Sequence, residues 1–180
     1  MPDTKQQFET VIRHCREVFE KKLQDYGVSW RIMRPESITD QLLIKAKRIR
    51  SLEIKKVSKI GEGILPEFTG IVNYGVIGLI QSELGFADQP DMTPQQAVEL
   101  YDRFITTTKE LMYAKNHDYD EAWRLMRISS YTDLILTKLN RIKEIENKDG
   151  KVIVSEGIDT NYQDIINYAL FGLIKLTFES

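Results

Sequence analysis

The sequence is poor in the residues that thiol and zinc chemistry use most. It has one cysteine, Cys15, and two histidines, His14 and His117. A lone cysteine excludes a disulfide within the chain, and a buried structural thiol is its simplest role. With so few soft ligands no zinc site can be drawn. An excess of one charge is missing too: 25 Lys and Arg against 27 Asp and Glu give a net charge of −2, with a pI near 5.8. A dedicated nucleic-acid binder carries a strong basic excess, so no such surface is expected. Long hydrophobic runs are absent. The best candidate, residues 71–80, is interrupted by Asn73, Gly75 and Gly78 and falls well short of a membrane span. The opening Met1-Pro2-Asp3-Thr4-Lys5 has no apolar signal core. Neither a phosphate-binding glycine loop nor a nucleophile elbow occurs. The expectation is a cytoplasmic protein without a membrane partner.

What the sequence does have is itself, twice. Asp25-Tyr26, Trp30-Arg31 and Met33-Arg34 recur at one constant offset as Asp118-Tyr119, Trp123-Arg124 and Met126-Arg127. The same offset pairs Ser37 with Ser130, Asp40 with Asp133, Lys45 with Lys138, Arg48 with Arg141 and Glu53 with Glu146. After a shift of one residue, Glu62-Gly63-Ile64 faces Glu156-Gly157-Ile158, and Asn73-Tyr74 faces Asn167-Tyr168. The two tryptophans, the only ones in the chain, are one such pair. A period this long lies outside the solenoid range, so the chain reads as two domain-sized copies. Their bounds are residues 1–84 and 97–180, with a linker at 85–96.

Apolar spacing makes each copy three helices. The first spans Thr4–Gln24 in copy one and opens at Thr93-Pro94 in copy two, an N-cap followed by proline. The second starts near Ser37 or Ser130, where Ser-x-x-Asp resembles a capping box. The third spans Glu67–Leu84 or Asn161–Phe178. Gly70, Gly75 and Gly78 weaken it as an isolated helix, which implies close packing on a neighbour. Val152-Ile153-Val154 suggests a short hairpin before the last helix. The expected fold is all-α: tandem-duplicated three-helix units forming a pseudo-two-fold bundle. A single unit of this size is marginal alone, so a shared core is expected.

Polar residues converge on copy two. Asp164 and Asn167 are three apart on one helical face, and Asp159 near the helix start could reach the same side. With Glu156 they form an oxygen set suited to Mg²⁺, which binds one or two carboxylates plus substrate phosphates. Capping by Asp159 and ordinary surface polarity account for the same spacing. Lys138 and Arg141, with Arg124 and Arg127, suit an anionic partner such as a phosphate chain. Ion pairs to Glu144 or Glu146 are the competing account. Trp30 and Trp123 read as core anchors, and Tyr26 and Tyr119 as packing or stacking residues.

Lys115-Asn116-His117-Asp118-Tyr119, Lys138 with Arg141, and Glu156-x-Ile158-Asp159-Thr160-x-x-Asp164-x-x-Asn167-Tyr168-Ala169 resemble the nucleotide-modification-associated domain of phage and bacterial proteins. The resemblance covers copy two from Lys115 to Ala169 and copy one in part. The helical pattern is in turn similar to the all-α nucleoside triphosphate pyrophosphatases, the MazG-like group and the dimeric dUTPases. That likeness implies Mg²⁺ on helix-borne carboxylates and release of pyrophosphate by water attack. Glu156, Asp159 and Asp164 would then hold metal and water. Lys138, Arg141, Arg124, Asn167, Lys115 and Asp118 would bind the nucleotide. The sequence departs from the pyrophosphatases in lacking a Glu-x-x-Glu pair on the second helix, which reads Thr137-Lys138-Leu139-Asn140-Arg141. The alternative is a non-catalytic helical module for a nucleotide or a protein partner. Leu65 and Gly70 replace the two aspartates in copy one, so the site is expected mainly in copy two or at the interface between the copies, with copy one as pure scaffold in the non-catalytic alternative. The sequence admits a monomer and a homodimer alike.

Overall fold

Among the described residues, three helices and one short 3-10 turn occur in each half, in the same order. In the computed structural model, which describes residues 3–56, 63–148 and 157–179, copy one comprises α1 (Thr4–Tyr26), a 3-10 turn (Ser29–Ile32), α2 (Pro35–Lys55) and α3 (Leu65–Leu84). Copy two repeats this as α4 (Pro94–Tyr119), a turn at Ala122–Leu125, α5 (Ile128–Asn147) and α6 (Ile158–Phe178). No strand occurs among the described residues. The hairpin expected at Val152-Ile153-Val154 lies outside them.

Local chemistry sets the helix ends. Asp3 caps α1 by accepting from the Gln6 N–H at 3.1 Å. Thr93 and Gln96 close a reciprocal capping box on α4, followed by Pro94 as expected. Gly27 ends α1 at φ 60°, where its N–H reaches the Leu23 carbonyl at 2.9 Å. The capping boxes expected at Ser37 and Ser130 do not form. α2 and α5 begin two residues earlier, and their N-caps, Arg34 and Arg127, make no side-chain cap bond. In α2 proline is the reason: its fixed φ starts the helix at Pro35. Asp40 and Asp133 instead pair across the seam between α2 and α5, with Lys143 at 3.9 Å and Arg50 at 3.5 Å.

Pseudo-two-fold symmetry governs the packing. α3 and α6 lie against each other at the centre, and their glycines admit this approach. A Cβ on Gly78 would stand 2.7 Å from the Tyr162 ring, and one on Gly172 3.1 Å from the Phe68 ring. These are the same contact seen from either side of the axis. α2 and α5 flank it, where Thr39 donates to Glu146 at 3.1 Å and Thr132 to Glu53 at 3.2 Å.

Each first helix packs on both copies, its N-terminal part reaching across to the other one. Phe8 of α1 meets Tyr113, Trp123 and Phe171 of copy two edge-on, at 5.8, 6.0 and 5.8 Å between centroids. Tyr101 of α4, at the repeat position of Phe8, stacks on Phe19 of copy one at 4.5 Å. Each such aromatic stabilises the fold by about 1.5–3 kcal/mol through burial. The copies therefore share one continuous apolar core, as expected for units too small to stand alone. Cys15 is buried in that core, and burial pushes its thiol up to about 12. No described helix is long and apolar enough to cross a membrane.

Candidate functional site

Each 3-10 turn is pinned from the far end of the third helix. The Gln81 amide donates to the carbonyls of Trp30, Arg31 and Met33 at 3.2, 3.0 and 2.9 Å. Lys175, its counterpart on α6, donates to the Met126 carbonyl. The Tyr131 hydroxyl donates to the Trp123 carbonyl. These bonds hold each turn by carbonyls at and just beyond it, including that of the tryptophan that walls a pocket.

Two pockets result, related by the repeat. The copy-two pocket, about 410 Å³, is lined by Lys115, Tyr119, Trp123, Asp164, Asn167 and Tyr168, among others. The copy-one pocket, about 500 Å³, is lined by Lys22, Tyr26, Trp30, Gly70, Asn73 and Tyr74 at the matching positions. Five of these six positions carry the same residue in both pockets; only Gly70 and Asp164 differ. Tyr26 and Tyr119 are each 71 % exposed, so neither contributes much to the core. Both cavities fall within the usual range for small ligands.

In copy two, the Asp164 carboxylate sits between Lys115 at 3.1 Å and Lys138 at 3.2 Å and is largely buried. Lys115 and Lys138 thus meet on Asp164, and Lys115, Asp164 and Asn167 line one pocket. The other candidates are elsewhere. Asp159 is exposed and accepts from the Ser82 hydroxyl of α3 at 2.7 Å. Asp118 is exposed beside His117. Arg141 pairs with Glu144 at 3.3 Å, the ordinary surface account. Arg124 donates to Glu121, Thr4 and Gln7 and lies over the Trp123 ring, clamping α1 to the turn. Its repeat partner Arg31 is buried and equally committed. Glu156 lies outside the described residues. Among the described residues, no three His, Cys, Asp or Glu side chains gather as metal ligands.

Asn167 ties helices together. Its amide N–H donates to the Thr108 carbonyl at 3.3 Å, as Asn73 donates to Cys15 at 3.0 Å. The Asn73 oxygen accepts from the Tyr101 hydroxyl at 2.7 Å, whereas the buried Asn167 oxygen has no partner. The repeat explains the difference, because Phe8 stands where Tyr101 stands and lacks the hydroxyl. Phe8→Tyr is expected to raise stability by about 1 kcal/mol, the worth of one completed buried hydrogen bond. That corresponds to roughly 3 °C in Tm, with Tyr101→Phe moving it the other way. A lower Tm for Phe8→Tyr would show that the hydroxyl does not reach Asn167.

Sequence reasoning underrated Tyr119 and Trp123 as walls and overlooked the copy-one pocket. The repeat itself carried the signal: Lys22/Lys115, Tyr26/Tyr119, Met33/Met126 and Tyr74/Tyr168 are identities that the fold gathers in equivalent places.

Comparison with known proteins adds a family. The sequence profile of the nucleotide modification associated domain 1 matches twice, at residues 22–82 and 115–176. No curated protein and no solved structure matches. The two matched segments begin at Lys22 and Lys115, the pocket lysines, and run through the third helix of each copy. By this match over most of its length, the chain belongs to the nucleotide modification associated domain 1 family and carries that domain in duplicate.

Proposed function

We propose that this chain binds a nucleotide in the copy-two pocket, with Lys115 and Lys138 on its phosphate and Tyr119, Trp123 and Tyr168 along its base. One observation carries this reading: side chains shared by the two halves converge on the pocket, including a tyrosine left in solvent in both. Core packing has no use for that ring. Base stacking does, at about 1–3 kcal/mol per base. The ammonium groups supply charge-assisted hydrogen bonds to phosphate oxygens. Asp164, now their shared partner, is freed as phosphate arrives and can accept an N–H from the base.

Binding without turnover fits these residues best. Among the described residues, the arrangement does not fit a resident Mg²⁺. Asp164 is already neutralised by two ammonium groups, and Asp159 is engaged with Ser82. A metal that takes part would come with the nucleotide's own phosphates.

The test is thermal stabilisation by a panel of canonical and modified nucleoside triphosphates, with and without Mg²⁺, alongside a pyrophosphate assay. Stabilisation should grow with the logarithm of nucleotide concentration. It should weaken at least about tenfold in apparent affinity when Lys115 and Lys138 are both replaced by alanine. Pyrophosphate release that disappears in Asp164→Asn would replace the binding module with a pyrophosphohydrolase. No stabilisation by any nucleotide would overturn both.

A further inference from the structure

We infer that copy one, which lacks both aspartates of copy two, carries a second binding site for an aromatic ligand bearing a phosphate group, of the nucleoside monophosphate class. This site follows from the Gly70 difference and does not require that copy two bind anything.

The copy-one pocket keeps the aromatic wall. Phe19, Tyr26, Trp30 and Tyr74 line it, and its volume of about 500 Å³ exceeds the 410 Å³ of its counterpart. What it lacks is the carboxylate. With glycine at position 70, the Lys45 side chain lies across the freed space, its ammonium 3.1 Å from where a Cβ would be. That ammonium also sits 5.6 Å from the centre of the Tyr74 ring. Among the described residues its acidic partner is Glu67, 3.9 Å from Lys45 and engaged more closely by Arg48. Lys22 is exposed on the same pocket and has no ion pair or hydrogen bond among the described residues. Copy two neutralises its lysine pair internally through Asp164; copy one offers an equivalent pair with no such carboxylate between them. A phosphate entering copy one therefore displaces no carboxylate set between the two lysines, only the long Glu67 contact of Lys45, and the pocket selects for the anion itself.

The two tryptophans make the test possible, because each lines one pocket and there are no others. Neither indole N–H has a partner, so replacement by phenylalanine loses no hydrogen bond. In Trp123→Phe, the fluorescence of Trp30 reports copy one alone; in Trp30→Phe, Trp123 reports copy two. The probes are a set of ribo- and deoxynucleoside monophosphates, the matching nucleosides, and inorganic phosphate as competitor.

Trp30 is expected to respond saturably to at least one monophosphate, with inorganic phosphate competing and the nucleoside bound at least about tenfold more weakly. Gly70→Asp, which installs the copy-two carboxylate, should weaken the monophosphate by a similar factor and leave the nucleoside unchanged. That substitution is sterically mild, since its Cβ meets only the flexible end of Lys45. Lys22→Gln, a surface change, gives an independent weakening should Gly70→Asp lower the Tm. A Trp30 signal indifferent to all monophosphates, or one that Gly70→Asp and Lys22→Gln leave unchanged, overturns the inference. A response at Trp123 alone would do so while leaving the copy-two reading intact. A response at Trp30 alone would sustain it, and the copy-two reading then stands or falls on the triphosphate melts.

Discussion

Gly78→Val is expected to lower stability by about 3 kcal/mol, the upper end of what overpacking a filled core usually costs. For a chain of this size that is roughly 10 °C in Tm. A Cβ at this position would stand 2.7 and 2.8 Å from two carbons of the Tyr162 ring. The ring has little room to yield. Tyr162 is 1 % exposed, and its hydroxyl lies 3.2 Å from the Thr39 hydroxyl on α2. Glycine costs a mid-helix position about 1 kcal/mol in propensity, so removing it returns part of that amount. The clash outweighs the gain because it prises apart α3 and α6 at the axis of the molecule. Gly70→Ala on the same helix is the control: its Cβ meets only the flexible end of Lys45, so near-neutrality is expected there. Thermal melts followed by far-ultraviolet circular dichroism decide it, and equal melting points for Gly78→Val and the parent would refute the close approach.

Arg31→Met should destabilise the chain by a comparable amount, about 3 kcal/mol, through groups left without partners. Arg31 is 4 % exposed and binds the Gln81 amide oxygen, the Gly85 carbonyl at 2.7 Å and both oxygens of Asp91 at 2.8 and 3.2 Å. The loss resides in the Gln81 and Gly85 acceptors, which methionine cannot satisfy. The Asp91 arm contributes little to it, since that carboxylate is exposed to solvent and screened. Its role shows in pH dependence instead. The Arg31 guanidinium holds the Asp91 carboxyl below its usual value. A depressed carboxylate adds stability above its unfolded pKa and loses it as pH falls through the folded one. Acid titration of Tm should therefore be shallower in Arg31→Met than in the parent. An Arg31→Met variant that melts with the parent at neutral pH would mean the linker is not held by this network.

That linker shows how far the sequence could be read. Residues 85–96 have the composition of a spacer, and α4 does open within them at Pro94. Yet the segment is stitched down, with the Ala87 N–H on the Arg31 carbonyl at 2.9 Å and Asp91 on the Arg31 side chain. The repeat marked Arg31 and Arg124 as positions resistant to change. It could not say whether they face a ligand or a helix, because both uses call for the same guanidinium. Asn167 posed the same ambiguity. Its amide bonds a carbonyl on α4, which no spacing within its own helix could reveal.

The duplication, the six helices of the described residues and most of their limits are legible along the chain, since periodicity, glycine stops and capping residues act within one or two turns. The sequence also marked the positions that form the pockets, as identities between the halves. That α1 and α4 each reach across to the other copy is a tertiary outcome, because Phe8 and Tyr101 satisfy helical spacing equally well on either copy. The same holds for the acidic residues. Asp164 and Asp159 sit on one helix, but α4 and α5 place Lys115 and Lys138 around the first, whereas α3 offers Ser82 to the second. Which side chains meet in a pocket is fixed by helices far apart in the chain, and no local pattern encodes that distance.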